Sequence, residues 1–111
     1  KLKNKGFKFP ILISKESSIS KFSKIGSGTM IMGNTFINAG VSIGENCIIN
    51  NNSLIEHDVK IGNNSQISTS VTINGSCKIG KNCFIGSGTI IRNNIKIKNN
   101  TFIKMASIIK K

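Results

Sequence analysis

Residues 53–86 read SLIEHDVKIGNNSQISTSVTINGSCKIGKNCFIG, and every sixth position of this stretch, counted from Ile55, is isoleucine. The same spacing runs in both directions to Ile13 and Ile109 without a missed position. A fixed short period is typical of a solenoid, in which successive repeats bury one another. Since the core of a solenoid is uniform, any functional residue should be one that breaks the repeat.

A small or β-branched residue stands two positions before each isoleucine. Side chains two apart on an extended strand share a face, so each repeat sends a small residue and an isoleucine inward and then turns. The sequence therefore predicts short strands separated by tight turns. The small residues are Thr29, Thr35, Val41, Cys47, Ser53, Val59, Ser65, Val71, Cys77, Cys83, Thr89, Ile95 and Thr101.

A second period of eighteen residues is superimposed on the period of six. Glycine recurs at 26, 44, 62 and 80, and asparagine recurs at 46, 64, 82 and 100. We expect both sets to mark one repeated corner, because Gly and Asn tolerate the left-handed backbone conformation of a sharp turn. Three repeats to a coil predict an all-β fold, a parallel β-helix shaped as a triangular prism of five to six coils. Flat prism faces suit cyclic association, so we expect an oligomer.

The net charge of +12 raises the question of nucleic-acid binding. The lysines are scattered or lie near the ends, and no aromatic platform for bases accompanies them. We therefore expect no nucleic-acid partner, and a small ligand that bears phosphate is at least as compatible with the charge. No apolar run reaches the ~18 residues of a membrane span and no signal-peptide core is present, so we expect no membrane partner and a cytoplasmic location.

The three cysteines all occupy the small inward position. Cys47 and Cys83 lie two coils apart, about 9.6 Å by strand spacing, which exceeds the ~7 Å limit for a disulfide. Cys77 lies on another face, and no histidine or carboxylate joins the cysteines with zinc-site spacing. We predict buried free thiols, no metal site and a reducing compartment.

His57, the single histidine, lies in the segment Glu56-His57-Asp58 and should project from a corner. Ala39 and Gly75 stand eighteen residues before and after it, so we expect open space beside the imidazole. A histidine next to a carboxylate can act as a general base, and Gly75 could offer a backbone N–H to an oxyanion. A solvated corner histidine with incidental acidic neighbours remains the alternative on these residues alone.

The repeats Ile61–Gln66 and Ile79–Phe84 resemble those of the left-handed β-helix (hexapeptide-repeat) acyltransferases. Residues 53–62 followed by 75–86 are similar to the sialic-acid O-acetyltransferase and UDP-amino-sugar N-acetyltransferase family. The resemblance implies a left-handed helix, a homotrimer, acetyl-CoA as acyl donor and a sugar or nucleotide-sugar hydroxyl or amine as acceptor.

The resemblance also implies roles for particular residues. His57 would be the general base, Asp58 would orient its imidazole, and Gly75 would donate its N–H to the thioester carbonyl. Ser87 and Met105 match positions that bind acetyl-CoA in the family, contributed by the neighbouring subunit. Gln66 stands where the amino-sugar enzymes often carry a second histidine that contacts the acetyl group or the coenzyme.

Two further expectations concern organisation and function. Residues 1–12 are interpreted as a lead-in segment, the exit from a missing N-terminal nucleotide-sugar domain, and residues 13–111 as the β-helix domain. The alternatives to a sugar acetyltransferase are a serine- or simple-sugar-type small-molecule acetyltransferase and a non-catalytic β-helix that serves as a scaffold or fragment.

Overall fold

A computed structural model describes residues 9–111 of the chain, so most of the expected lead-in segment, residues 1–8, lies outside the described residues. Within residues 9–111 the chain forms seventeen strands of two residues each, separated by turns, and no helix. The strands are β1 Leu12–Ile13, β2 Ser18–Ile19, β3 Lys24–Ile25, β4 Met30–Ile31, β5 Phe36–Ile37, β6 Ser42–Ile43, β7 Ile48–Ile49, β8 Leu54–Ile55, β9 Lys60–Ile61, β10 Gln66–Ile67, β11 Thr72–Ile73, β12 Lys78–Ile79, β13 Phe84–Ile85, β14 Ile90–Ile91, β15 Lys96–Ile97, β16 Phe102–Ile103 and β17 Ile108–Ile109.

The strands form three parallel sheets, each built from every third strand. Face A contains β1, β4, β7, β10, β13 and β16; face B contains β2, β5, β8, β11, β14 and β17; face C contains β3, β6, β9, β12 and β15. Each strand residue pairs with the strand residue eighteen positions away, as Ile55 does with Ile73. The predicted all-β parallel solenoid with eighteen residues per coil is confirmed, and its left-handedness stays a prediction.

The interior is the predicted ladder of isoleucines and small residues. Ile37, Ile55 and Ile73 on face B are fully buried, and the small inward residues such as Val59 are buried with them. Cys47, Cys77 and Cys83 are buried and free, as predicted. Burial raises the pKa of the Cys47 and Cys77 thiols, because the interior disfavours the charged thiolate.

The turns define three edges of the prism, here called AB, BC and CA after the faces that they join. Each turn has two central residues, and from Gly28 onward the second of these has a positive φ on all three edges. On the CA edge it is asparagine in four successive coils, at 46, 64, 82 and 100, with φ between 56° and 62°. The predicted left-handed role of these asparagines is confirmed.

The explanation expected for the glycines at 26, 44, 62 and 80 was wrong. None of them has a positive φ. A Cβ at Gly26 would lie 2.5 Å from the carbonyl carbon of Gly44, and a Cβ at Gly62 would lie 2.7 Å from that of Gly80. These positions require glycine because the backbones of adjacent coils approach closely there.

Candidate active site

His57 and Asp58 are the two central residues of the BC-edge turn between β8 and β9. Asp58 has a φ of 60°, in the left-handed region that short polar residues such as Asp tolerate better than most. The same turn recurs one coil later at Gly75 and Ser76, where Ser76 has a φ of 62°. The Ser76 N–H donates to the His57 carbonyl oxygen at 2.9 Å, so the two turns stack directly.

The imidazole of His57 lies against Gly75. A Cβ on Gly75 would lie 2.5 Å from His57 Nε2 and 2.7 Å from Cε1, too close for any side chain to fit beside the ring. The space expected from the small neighbours of His57 is therefore present on the Gly75 side, and the ring itself occupies part of it. Gly75 has no positive φ, so the reason for glycine here is the close approach of the ring.

Asp58 fixes the other nitrogen of the ring. His57 Nδ1 lies 3.0 Å from Asp58 Oδ2, and the Asp58 carboxylate packs over Gly40, the residue at the corresponding place one coil earlier. An ionised carboxylate only accepts hydrogen bonds, so in the neutral imidazole this contact favours the tautomer in which Nδ1 donates and Nε2 carries the lone pair. Both side chains remain more than half exposed, at 59% and 65%.

The backbone N–H of Gly75 has no hydrogen-bond acceptor in residues 9–111. Its carbonyl oxygen is used, since it accepts from the Asn94 N–H at 2.9 Å. A backbone N–H without a partner beside the basic nitrogen of a histidine can donate to an oxygen that gains negative charge.

These groups line a shallow cleft of about 390 Å³ on the BC edge. Sequence reasoning missed Asn74, Asn93 and a hydrogen bond from Asn38 to Glu56 in the wall of this cleft. The period of eighteen could have found the first two, because Asn74 follows Glu56 and Asn93 follows Gly75 by eighteen residues. Asn38 Nδ2 donates to Glu56 Oε1 at 3.0 Å, and Asn74 Nδ2 donates to the Ile91 carbonyl oxygen at 2.9 Å. The cleft is lined by Glu56, His57, Asn74, Gly75 and Asn93.

A larger cavity of about 520 Å³ lies elsewhere, over face A and the AB edge in the first coils. Its wall is largely apolar and its one titratable side chain, Glu16, accepts a hydrogen bond from the Ser14 hydroxyl. It lacks a base paired with a carboxylate, so the smaller BC-edge cleft is the better candidate for chemistry.

The remaining predicted site residues lie elsewhere on the protomer. Gln66 is on face A in β10, and Ser87 and Met105 are first turn residues of the AB edge, with Met105 69% exposed. One chain therefore brings together His57, Asp58 and Gly75 but not Gln66, Ser87 and Met105.

Within residues 9–111, no three His, Cys, Asp or Glu side chains are grouped so that they could hold a metal ion. In the same range no helix has the length and apolar character to cross a membrane.

The structure is similar to solved acetyltransferase structures. The acetyltransferase domain of PglB from Neisseria gonorrhoeae FA1090 superimposes with a TM-score of 0.93 at 26% identity, covering 95% of this chain and 51% of that chain. The same domain in complex with acetyl coenzyme A gives a TM-score of 0.89 at 25% identity, covering 94% and 53%. Perosamine N-acetyltransferase from Caulobacter crescentus shares the fold at 13% identity, with a TM-score of 0.72 and coverage of 92% and 56%.

The chain thus spans about half the length of these solved structures. No curated protein sequence gives a significant match. The resemblance to hexapeptide-repeat acetyltransferases is confirmed by the solved structures. A protein-family model described as the GMPPB C-terminal domain matches residues 8–111, and the chain belongs to that family.

Proposed function

We propose that this chain is the β-helix part of an acetyl-CoA-dependent acetyltransferase that acts on a hydroxyl or amine of a sugar or nucleotide sugar. One observation carries the proposal: His57 has Nδ1 held by Asp58 and Nε2 beside Gly75, whose N–H is free to donate. The similar PglB domain has been crystallised with acetyl coenzyme A, which supports the same donor here.

In this mechanism His57 Nε2 removes the proton from the acceptor hydroxyl or amine as that group attacks the thioester carbonyl carbon. The carbonyl oxygen gains negative charge and accepts a hydrogen bond from the Gly75 N–H. The carbon–sulfur bond then breaks, and the proton held by His57 passes to the thiolate of the leaving coenzyme. Acetyl transfer is direct, without an acyl-enzyme.

Asp58 acts through His57. Its carboxylate accepts the Nδ1 hydrogen bond, which keeps the proton on Nδ1 and stabilises the imidazolium that forms during the transfer. Gly40 leaves room for the carboxylate, because a Cβ there would overlap Asp58 Oδ1. The BC edge thus orients the base with the Asp58 carboxylate and leaves room for both side chains at Gly40 and Gly75.

The coenzyme contacts proposed for Gln66, Ser87 and Met105 require a second copy of the chain. These residues lie on face A and the AB edge, whereas His57 lies on the BC edge. We therefore include a homotrimer in the proposal, in which face A and the AB edge of one copy approach the BC edge of the next. Exposed apolar side chains on face A, Leu12 and Phe102 among them, support burial of that face.

The three unpaired thiols support a cytoplasmic location for this activity, because cysteines of oxidising compartments are commonly paired. Acetyl-CoA binding by calorimetry and coenzyme A release with sugar, nucleotide-sugar and serine acceptors test the proposal directly. His57→Ala should lower kcat about 10²- to 10⁴-fold and leave acetyl-CoA affinity and melting temperature unchanged.

Lys15→Ala serves as the matched control, because Lys15 is an exposed first turn residue on the AB edge of the first coil. This variant should transfer acetyl groups at the wild-type rate. Absence of acetyl-CoA binding by the wild-type assembly would favour a non-catalytic β-helix. Equal rates for wild type and His57→Ala would remove His57 as the base.

A further inference from the structure

The first residue of each strand points outward and precedes a core isoleucine. Among these outward strand positions, lysine occurs on one face of the prism only. On face C four of the five positions are lysine, with serine at 42. On faces A and B none of the corresponding positions is charged. A general enrichment in lysine would supply all three faces alike, so composition does not explain this distribution. The face C positions are Lys24, Ser42, Lys60, Lys78 and Lys96.

Three of these lysines are direct neighbours in the sheet. Lys60 pairs with Lys78, and Lys78 pairs with Lys96, each one strand spacing of ~4.8 Å apart. Like charges in register destabilise a sheet. In residues 9–111 none of the three makes an ion pair with a carboxylate. We call Lys60, Lys78 and Lys96 the lysine ladder.

The lysine ladder runs alongside the candidate active site. Lys60 follows His57 by three residues, Lys78 follows Gly75 by three, and Lys96 follows Asn93 by three. Three residues of extended chain span at most ~11 Å, so each ladder position lies close to one wall residue of the cleft.

The strip beside the ladder carries few side chains. Gly62 and Gly80 follow the core isoleucines of β9 and β12; backbone of the next coil lies over Gly62, whereas Asn99 Oδ1 lies over Gly80, and the next residue of this column is Lys98. A ligand could therefore approach face C closely at Gly62, where Lys60 and Lys78 reach it. Face C also carries no aromatic residue at its outward strand positions, which argues against stacking of nucleic-acid bases.

We propose that the lysine ladder is a diphosphate-binding subsite for a substrate whose reacting end enters the His57 cleft. Two adjacent ammonium groups, one strand spacing apart, would share the charge of one diphosphate. This inference rests on the proposed function, because a nucleotide-sugar acceptor and acetyl-CoA each carry a diphosphate. The ladder covers only three coils, about 10 Å from first to last, which suits a small anion better than a long polyanion.

The test measures binding of inorganic pyrophosphate, GDP and coenzyme A by calorimetry at low and high ionic strength. The double variant Lys60→Gln/Lys78→Gln should weaken pyrophosphate binding about three- to tenfold at low ionic strength, and the difference should shrink in high salt. Lys24→Gln is the matched control, because Lys24 occupies the same outward strand position on face C but pairs with Ser42. It should bind as the wild type does.

The probes distinguish the two sources of diphosphate. Weaker GDP binding with unchanged coenzyme A binding assigns the ladder to the acceptor, and the reverse result assigns it to the acyl donor. Equal effects of Lys24→Gln and the double variant, or no pyrophosphate binding by the wild type, would overturn the proposal.

The outcome is separable from that of the proposed function. Ladder-dependent pyrophosphate binding by a wild-type chain that transfers no acetyl group would keep the diphosphate site and reject the acetyltransferase activity. Acetyl transfer by the double variant with wild-type KM values for acetyl-CoA and for nucleotide-sugar acceptors would keep the acetyltransferase activity and reject the diphosphate site.

Discussion

The turns of the CA and BC edges have the same backbone conformation but differ in the side chains that lie beside them. On the CA edge, Asn63 Oδ1 accepts a hydrogen bond from the Glu45 N–H at 2.8 Å, and Asn99 Oδ1 accepts one from the Lys81 N–H at 2.8 Å. On the BC edge the Gly75 N–H has no such acceptor in residues 9–111. A side-chain amide therefore accepts from the turn N–H at Glu45 and Lys81, whereas at Gly75 an imidazole lies beside an N–H without an acceptor.

The backbone does not account for this difference. The second turn residue has a φ of 61° at Asn64 on the CA edge and 60° at Asp58 on the BC edge. Both edges also stack coil on coil through the same hydrogen bond, from the N–H of a second turn residue to the carbonyl of the first turn residue one coil earlier. The contrast between Glu45 on the CA edge and Gly75 on the BC edge therefore arises from side chains and not from the backbone conformation.

Gly75→Ala should have the largest effect on the difference between the BC and CA edges. Its methyl group would occupy the place of the His57 ring, and we expect kcat for acetyl transfer to fall about 100-fold, as for other small displacements of a catalytic group. The melting temperature should change little, because Gly75 has no positive φ. Gly33→Ala is the control, since its Cβ would meet nothing closer than 3.4 Å at the first turn position of the AB edge. Wild-type kcat in Gly75→Ala would contradict the packing of His57 over Gly75.

Asp58→Asn should have a smaller effect. Asparagine accepts the positive φ of this position, so the change removes the charge next to Nδ1 and keeps the turn. We expect kcat to fall about tenfold, less than for a buried histidine–carboxylate pair, because both side chains are more than half exposed and solvent screens them. Steady-state kinetics with saturating acetyl-CoA measures this, and Asn64→Asp, at the same turn position on the CA edge, should leave kcat unchanged. A wild-type kcat in Asp58→Asn would show that the carboxylate is incidental.

Asn63→Ala tests the CA edge and should have the smallest effect of the three substitutions. It removes the acceptor of the Glu45 N–H, which we expect to lower the free energy of unfolding by about 1 kcal/mol in urea denaturation, with no change in acetyl transfer. Asn93→Ala is the stability control, because the Asn93 side chain makes no hydrogen bond in residues 9–111. A larger loss of stability in Asn93→Ala than in Asn63→Ala would reverse the contrast between the edges.

The period of eighteen was enough to predict which residues of the site are neighbours in adjacent coils. That period places Gly75 beside His57 and also leads to Asn74 and Asn93, since each follows a cleft residue by eighteen. It does not give the rotamer that lays the imidazole over Gly75, nor the bond from Asn38 to Glu56, because both depend on side-chain torsions. It misassigned the glycines at 26, 44, 62 and 80, since glycine at a corner serves either a positive φ or a close approach.

By itself the sequence determined the solenoid, its coil length and most of its buried residues, because an inward isoleucine every six residues leaves one arrangement that gathers them in a core; only towards the ends of the prism are they incompletely covered, as at Ile13, which is 48% exposed. Tertiary structure decided which edges are closed and where functional groups meet. It separates Gln66, Ser87 and Met105 from His57, aligns Lys60, Lys78 and Lys96, and leaves one backbone N–H beside a base. These outcomes depend on contacts between residues a whole coil apart, where side-chain volume and hydrogen bonding choose among otherwise equivalent turns.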